Sequence, residues 1–145
     1  MELAFAITAH SAEVTADGKI WVLGGDFEMI HAPGFPVVQP AMALVIKIRL
    51  QPMECDQEHR LRVELIDQDA HPLRDALSLP FTPRVDPNRP GRALSLSMVL
   101  NYQNVQFNTP GDYAFVILVD DSQIGSVPLT LMAQTPSPRP LAGEG

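Results

Sequence analysis

Residues 111–132, GDYAFVILVDDSQIGSVPLTLM, leave this chain few ways to fold. Tyr113, Phe115, Ile117 and Val119 fall on one side of an extended backbone, and Ala114, Val116 and Leu118 on the other, because successive side chains of a strand point to opposite faces. The polar run Asp120-Asp121-Ser122-Gln123 breaks the alternation. On the return, Val127, Leu129 and Leu131 face inward again, with Pro128, Thr130 and Met132 opposite. This reads as a β-hairpin. Apolar residues on both sides of its first arm predict an interior strand whose second side is less completely covered.

The same alternation recurs along the chain. Residues 3–14 carry Leu3, Phe5, Ile7 and Ala9 on one face and lead to Thr15-Ala16-Asp17-Gly18, a short-turn signal. Residues 19–30 return, with Ile20 and Val22 on one face and Trp21 and Leu23 on the other. Gly24-Gly25 in mid-strand predicts a bulge or a close backbone approach. A strand over residues 38–50 follows, with Pro40 at an edge or bulge, and then a polar connection, 51–59, with at most one helical turn. Leu61, Val63 and Leu65 point inward from the next strand, while Arg60, Arg62 and Glu64 point out. Residues 73–82 form a weaker strand that Pro80 places at an edge, and 83–91, with three prolines, cross between sheets. A last strand over 92–99 leads through Tyr102, Val105 and Phe107 to the hairpin. Residues 133–145 are Pro-rich without an apolar face and read as a flexible tail to a single domain over 1–132.

About eight strands with turn chemistry between them predict an all-β fold, an antiparallel two-sheet β-sandwich of immunoglobulin-like or Greek-key type. Fourteen prolines, mostly between apolar runs, favour short connected strands over helices. A net charge of −7 with Lys and Arg scattered singly argues against a nucleic-acid partner and against anionic membrane surfaces. No apolar run approaches the ~20 residues that span a bilayer. The N-terminal apolar run has Glu2 and no preceding basic residue, so it reads as a strand, not an export signal. With a single cysteine, Cys55, the expected compartment is the reducing cytoplasm.

Pro110-Gly111-Asp112-Tyr113 resembles the start of the penultimate strand in immunoglobulin-like sandwiches, where a tyrosine hydroxyl bonds back to the corner's backbone. Phe115 stands where antibody domains carry cysteine, so the resemblance is to the architecture. Asp17-Gly18-Lys19, Val22-Leu23-Gly24-Gly25, Val63-Glu64-Leu65-Ile66-Asp67 and Pro110-Gly111-Asp112-Tyr113, in that order, resemble a bacterial family catalogued as a domain of unknown function. That resemblance implies the sandwich over residues 3–132 and supplies no catalytic residues.

Candidate chemistry is sparse. Cys55, Asp56, Glu58 and His59 offer zinc-type ligands without a zinc-type spacing, or a nucleophile with His59 or His31 as base. Asp67 with Asp69, and Asp120 with Asp121, offer hard oxygens of the kind that hold calcium, although hairpin aspartates usually bond their own turn. Strands running up and down would place Asp17, Cys55, Asp86 and Asp120-Asp121 at one end and Asp67-Asp69 at the other. Trp21 is read first as a core residue and second as a sugar platform. No phosphate loop, dinucleotide fingerprint or nucleophile elbow occurs, and no cofactor is expected. The expected function is a non-enzymatic module that self-associates or binds another protein, with the Ala114, Val116 and Leu118 face as the interface; the alternative is a module binding carbohydrate or calcium through its loops.

Overall fold

The computed structural model describes residues 1–134. Most of the expected tail, from residue 135 onward, lies outside the described residues. Nine strands are present among them: β1 (Glu2–Val14), β2 (Ile20–Gly25), β3 (Met29–Ala32), β4 (Val37–Leu50), β5 (His59–Asp67), β6 (Leu77–Phe81), β7 (Leu94–Phe107), β8 (Gly111–Val119) and β9 (Ser122–Ala133). One 3-10 turn, Pro52–Glu54, interrupts the β4–β5 connection. The strands form two sheets, of order β2-β1-β4-β7 and β3-β9-β8-β5-β6. All pairings are antiparallel except β3 with β9. The expected count of eight, all antiparallel, is therefore corrected to nine, with one mixed sheet.

The difference arises in residues 19–30, expected to be one strand. Gly24 and Asp26 both take left-handed backbone conformations, φ 62° and 59°, and the β2 ladder ends between them at Ala9↔Gly25. The Asp26 N–H donates to the Thr8 carbonyl at 2.7 Å, and the Thr8 hydroxyl donates to the Phe27 carbonyl. The chain then changes sheet: the Thr130 N–H donates to the Glu28 carbonyl at 2.7 Å, and β3 continues beside β9. One added strand reverses the direction of everything that follows. Asp17 therefore lies at the same end as Asp67-Asp69. The Cys55, Asp86 and Asp120 segments do share the opposite end, where the Asp56 N–H donates to the Pro83 carbonyl at 2.7 Å.

The core lies between the sheets. Leu44, Ile46, Ile48 and Leu50 of β4 meet Leu61, Val63 and Leu65 of β5, Phe115 and Ile117 of β8 and Leu129 and Leu131 of β9, all buried. Phe115 packs 5.4 Å from the Tyr102 ring, and Phe107 meets Tyr113 edge-on at 4.9 Å. The β4–β7 ladder keeps one register from Val37↔Phe107 to Leu50↔Leu94. Within it the core face changes from Leu100 and Tyr102 to Val105 and Phe107, and from Met42 to Val37. The change falls where Pro40 and Asn104 face each other, Asn104 at φ 52°. Both strands turn over together, so the register is kept and only the Pro40–Asn104 position drops out of the ladder. Pro40 sits beyond Ala43, the last residue of β4 paired to β1, where a missing N–H is tolerated.

Two details of the 111–132 hairpin match the expectation. Its turn residues Asp120 and Asp121 are both left-handed, φ 50° and 67°, the conformation that suits the twist of a two-residue hairpin. The Tyr113 hydroxyl donates to the Thr109 carbonyl at 2.6 Å, which ties down the corner.

Candidate functional site

Edge strands decide which backbone remains open to a partner. In the five-stranded sheet, β3 has four residues and β6 carries Pro80, both ordinary guards against further pairing. The outer edge of β7 bears Ser95, Ser97, Asn101 and Gln103, and the Arg74 guanidinium donates to the Gln103 carbonyl at 3.1 Å. Like β7, β2, IWVLGG, has neither charge nor proline, but it differs in the large apolar side chains it exposes. Trp21, Val22 and Leu23 are 65%, 42% and 66% exposed. The expected core role of Trp21 is thus corrected: among the described residues no strand pairs with the outer side of β2, and its indole lies on the surface. Ser11, Ala12 and Glu13 of β1 flank it in a shallow depression. Sequence reading missed this because alternation reports a strand and not its place in a sheet.

The Ala114, Val116 and Leu118 face of β8 is half-buried. Cross-strand neighbours Arg62 and Glu64 form an ion pair at 2.9 Å beside it, so charge interrupts the apolar strip.

At the far end, His59 is buried and bonded at both ring nitrogens. Nδ1 lies 2.6 Å from Asp120 Oδ2, and Nε2 lies 2.6 Å from the Glu54 carbonyl. Both partners are acceptors, so both contacts are hydrogen bonds only when the ring is the doubly protonated imidazolium. The Asp120 hydrogen bond holds the His59 pKa above its ordinary value, against the opposing effect of burial. The same bond draws the Asp120 carboxyl below its ordinary value. Asp120 Oδ1 also accepts the Arg60 N–H at 2.9 Å. Glu54 adds a further link: it pairs with the N-terminal ammonium at 2.7 Å and accepts the Gln51 N–H, and these lower its pKa. Asp120 and His59 therefore fasten the β8–β9 turn to the β4–β5 connection, and Glu54 in turn holds the N-terminal residue beside them.

Cys55 is buried, and burial with Asp56 and Glu54 nearby pushes its thiol pKa up, away from nucleophilic thiolate. Its thiol donates weakly to the Gln51 carbonyl at 3.8 Å. His59, engaged at both nitrogens, is not placed as its base. Of the four residues read as zinc-type ligands, Cys55, Asp56 and His59 thus serve different local bonds, Asp56 with Arg84 at 3.6 Å.

Asp67, Asp69 and His71 bring one ligand atom each within 4.8 Å of one another. Asp67 Oδ1 accepts the backbone N–H of both Asp69 and His71 at 2.9 Å, the self-bonded turn that hairpin aspartates commonly make. His71 joins the two aspartates that the sequence had paired. Asp121 follows Asp120 in the opposite turn, so the two aspartate pairs lie at opposite ends of the sandwich.

Lys and Arg are less scattered than the sequence suggests. Arg49, Arg89 and Arg92 line one depression of about 340 Å3, with Pro52, Cys55, Val85, Asp86 and Leu94 also in its walls. The spacing Arg89-Pro90-Gly91-Arg92 was a legible signal, but Arg49 joins it only through the fold.

The described residues form an all-β fold of two packed sheets, one of them mixed. Residues 4–132 match the family of unknown function DUF6941, and the chain belongs to that family. No curated protein matches. Among solved structures, a beta-glucuronidase from glycoside hydrolase family 2 is similar at 14% identity with a TM-score of 0.35; the match covers 74% of this chain, which spans 13% of that one. Among the described residues no helix is long and apolar enough to cross a membrane.

Proposed function

We propose that this chain is a non-enzymatic interaction module that associates with a second copy of itself by pairing β2 to β2. The observation that carries this reading is Trp21, Val22 and Leu23, exposed on an edge strand with neither charge nor proline. An open edge supplies main-chain hydrogen bonds, and side chains on its two faces supply specificity. Antiparallel pairing about a twofold axis would extend the four-stranded sheet to eight strands and bring the two copies of Trp21 and Leu23 onto one surface. The finer topology is immunoglobulin-like in this reading: β9-β8-β5-β6 corresponds to strands G-F-C-C′ and β1-β4-β7 to A-B-E, with the tyrosine corner in its usual place. A cytoplasmic setting suits the single buried thiol.

Light scattering over a concentration series tests the proposal. The expected result is a dimer that Leu23→Lys converts to a folded monomer whose thermal stability, unlike the wild type's, no longer rises with concentration. A wild-type chain that stays monomeric at every concentration rejects it.

A second reading, a carbohydrate platform, is favoured by the exposed indole beside Ser11 and Glu13. Its mark would be quenching of the single tryptophan by an oligosaccharide, in a monomer as well as in a dimer.

A further inference from the structure

In a chain with 10 Lys and Arg against 17 Asp and Glu, three arginines around one depression demand a physical reason. The depression is built from three segments. Arg49 and Ser95 are cross-strand partners at the end of the β4–β7 ladder and supply a rigid floor. Pro52 and Cys55 come from the β4–β5 connection, and residues 85–93 from the crossing between sheets.

That crossing is held by its own hydrogen bonds. Asp86 Oδ1 accepts the Asn88 N–H at 2.9 Å, the Asp86 carbonyl accepts the Arg89 N–H at 3.1 Å, and the Arg89 carbonyl accepts the Arg92 N–H at 3.3 Å. Asp86, the one carboxylate in the lining, is thereby occupied in shaping the loop. Among the described residues neither Arg89 nor Arg92 forms an ion pair, and Arg49 meets Glu2 only at 3.7 Å. Neighbouring Arg84 already has Asp56 at 3.6 Å. Three arginines against one aspartate leave the lining two positive charges in excess.

We infer that this depression binds a small phosphate monoester. A phosphate monoester carries about −1.5 to −2 charges near pH 7, which matches the excess, and its clustered oxygens suit converging guanidinium forks. Pro52, Val85 and Leu94 offer apolar wall to the organic remainder of the ester. The volume lies at the small end of ligand sites, at roughly 300 Å3 and upward. Binding would relieve the mutual repulsion of the three cations, which no internal carboxylate fully offsets.

Calorimetric titration of the full chain with glycerol phosphate, and in parallel with succinate as a dicarboxylate of equal charge, tests the inference. Saturable binding of glycerol phosphate is expected, weakened by at least about tenfold in Arg89→Gln/Arg92→Gln and unchanged in Arg62→Ala on β5. In the wild-type chain, amide resonances of Leu94 and Ser95 should move with the same saturation curve. No saturable glycerol phosphate binding, or binding that survives the double substitution, overturns the site. Succinate bound as tightly as the ester overturns the phosphate assignment.

Discussion

The β8–β9 and β1–β2 hairpins use the same local chemistry and meet different fates. Each has alternating apolar residues and a short turn containing aspartate. In the first, β8 lies between β9 and β5, and Tyr113, Phe115, Ile117 and Val119 are buried under the opposite sheet. In the second, β2 ends its sheet, and Trp21 and Leu23 remain in solvent. The turns differ likewise. Asp120 reaches His59 and the Arg60 backbone, whereas Asp17 is bonded by Thr15 within its own turn and paired with Lys19 at 3.5 Å. Alternation makes a strand; position in the sheet decides what the strand's side chains are worth.

The largest test of that contrast is truncation. Phe115→Ala removes a fully buried ring and should cost about 3–5 kcal/mol in urea unfolding, while Trp21→Ala should stay within about 0.5 kcal/mol. Comparable losses at the two positions would abolish the distinction between the hairpins.

A smaller effect is expected at the corner. Tyr113→Phe deletes the hydroxyl bonded to the Thr109 carbonyl and should cost about 0.5–1.5 kcal/mol. Tyr102→Phe makes a useful partner to this measurement: its hydroxyl is buried without a hydrogen-bond partner among the described residues, so its loss should be neutral or stabilising. The order of the two variants in chemical unfolding checks the assignment.

The smallest effect is one of pH. The His59 pKa is raised in the folded state above its ordinary 6.5, so its contribution is fully present below 6.5 and is lost as pH rises through the raised value. The Asp120 pKa is depressed below 3.8, so its contribution is present above 3.8 and is lost as pH falls through the depressed value. Urea midpoints measured across pH should therefore decline as pH rises above 6.5 in the wild type, and Asp120→Asn should flatten that decline. Asp17→Asn, in the solvated turn, should leave the alkaline limb as it is. An alkaline limb unaffected by Asp120→Asn would show that the two turns do not differ in this way.

Much of the fold was legible because it is written in local terms. The period of two over Leu61, Val63 and Leu65 and over Tyr113, Phe115 and Ile117 marks inward faces, since side chains on a pleated strand alternate whatever the strand pairs with. Pro80 marked an edge strand and Pro40, read as edge or bulge, marked the stretch of β4 beyond its pairing with β1, because a missing N–H has the same consequence in any sheet. Tyr113 was readable from its neighbours Pro110 and Gly111.

The sites were less legible. The sheet change after Gly24 depends on the Thr8 and Thr130 hydrogen bonds, partners that lie 18 and 102 residues from Asp26 and Glu28 along the chain. That one added strand moved Asp17 to the other end of the sandwich. The sequence alone thus determined which segments are strands, which faces seek a core and which turns close them, because these follow from short-range sterics and periodicity. Only the tertiary structure decided that β2 is an edge, that His59 is held by Asp120 and Glu54, and that Arg49 joins Arg89 and Arg92, because each depends on pairings between distant residues that no local preference encodes.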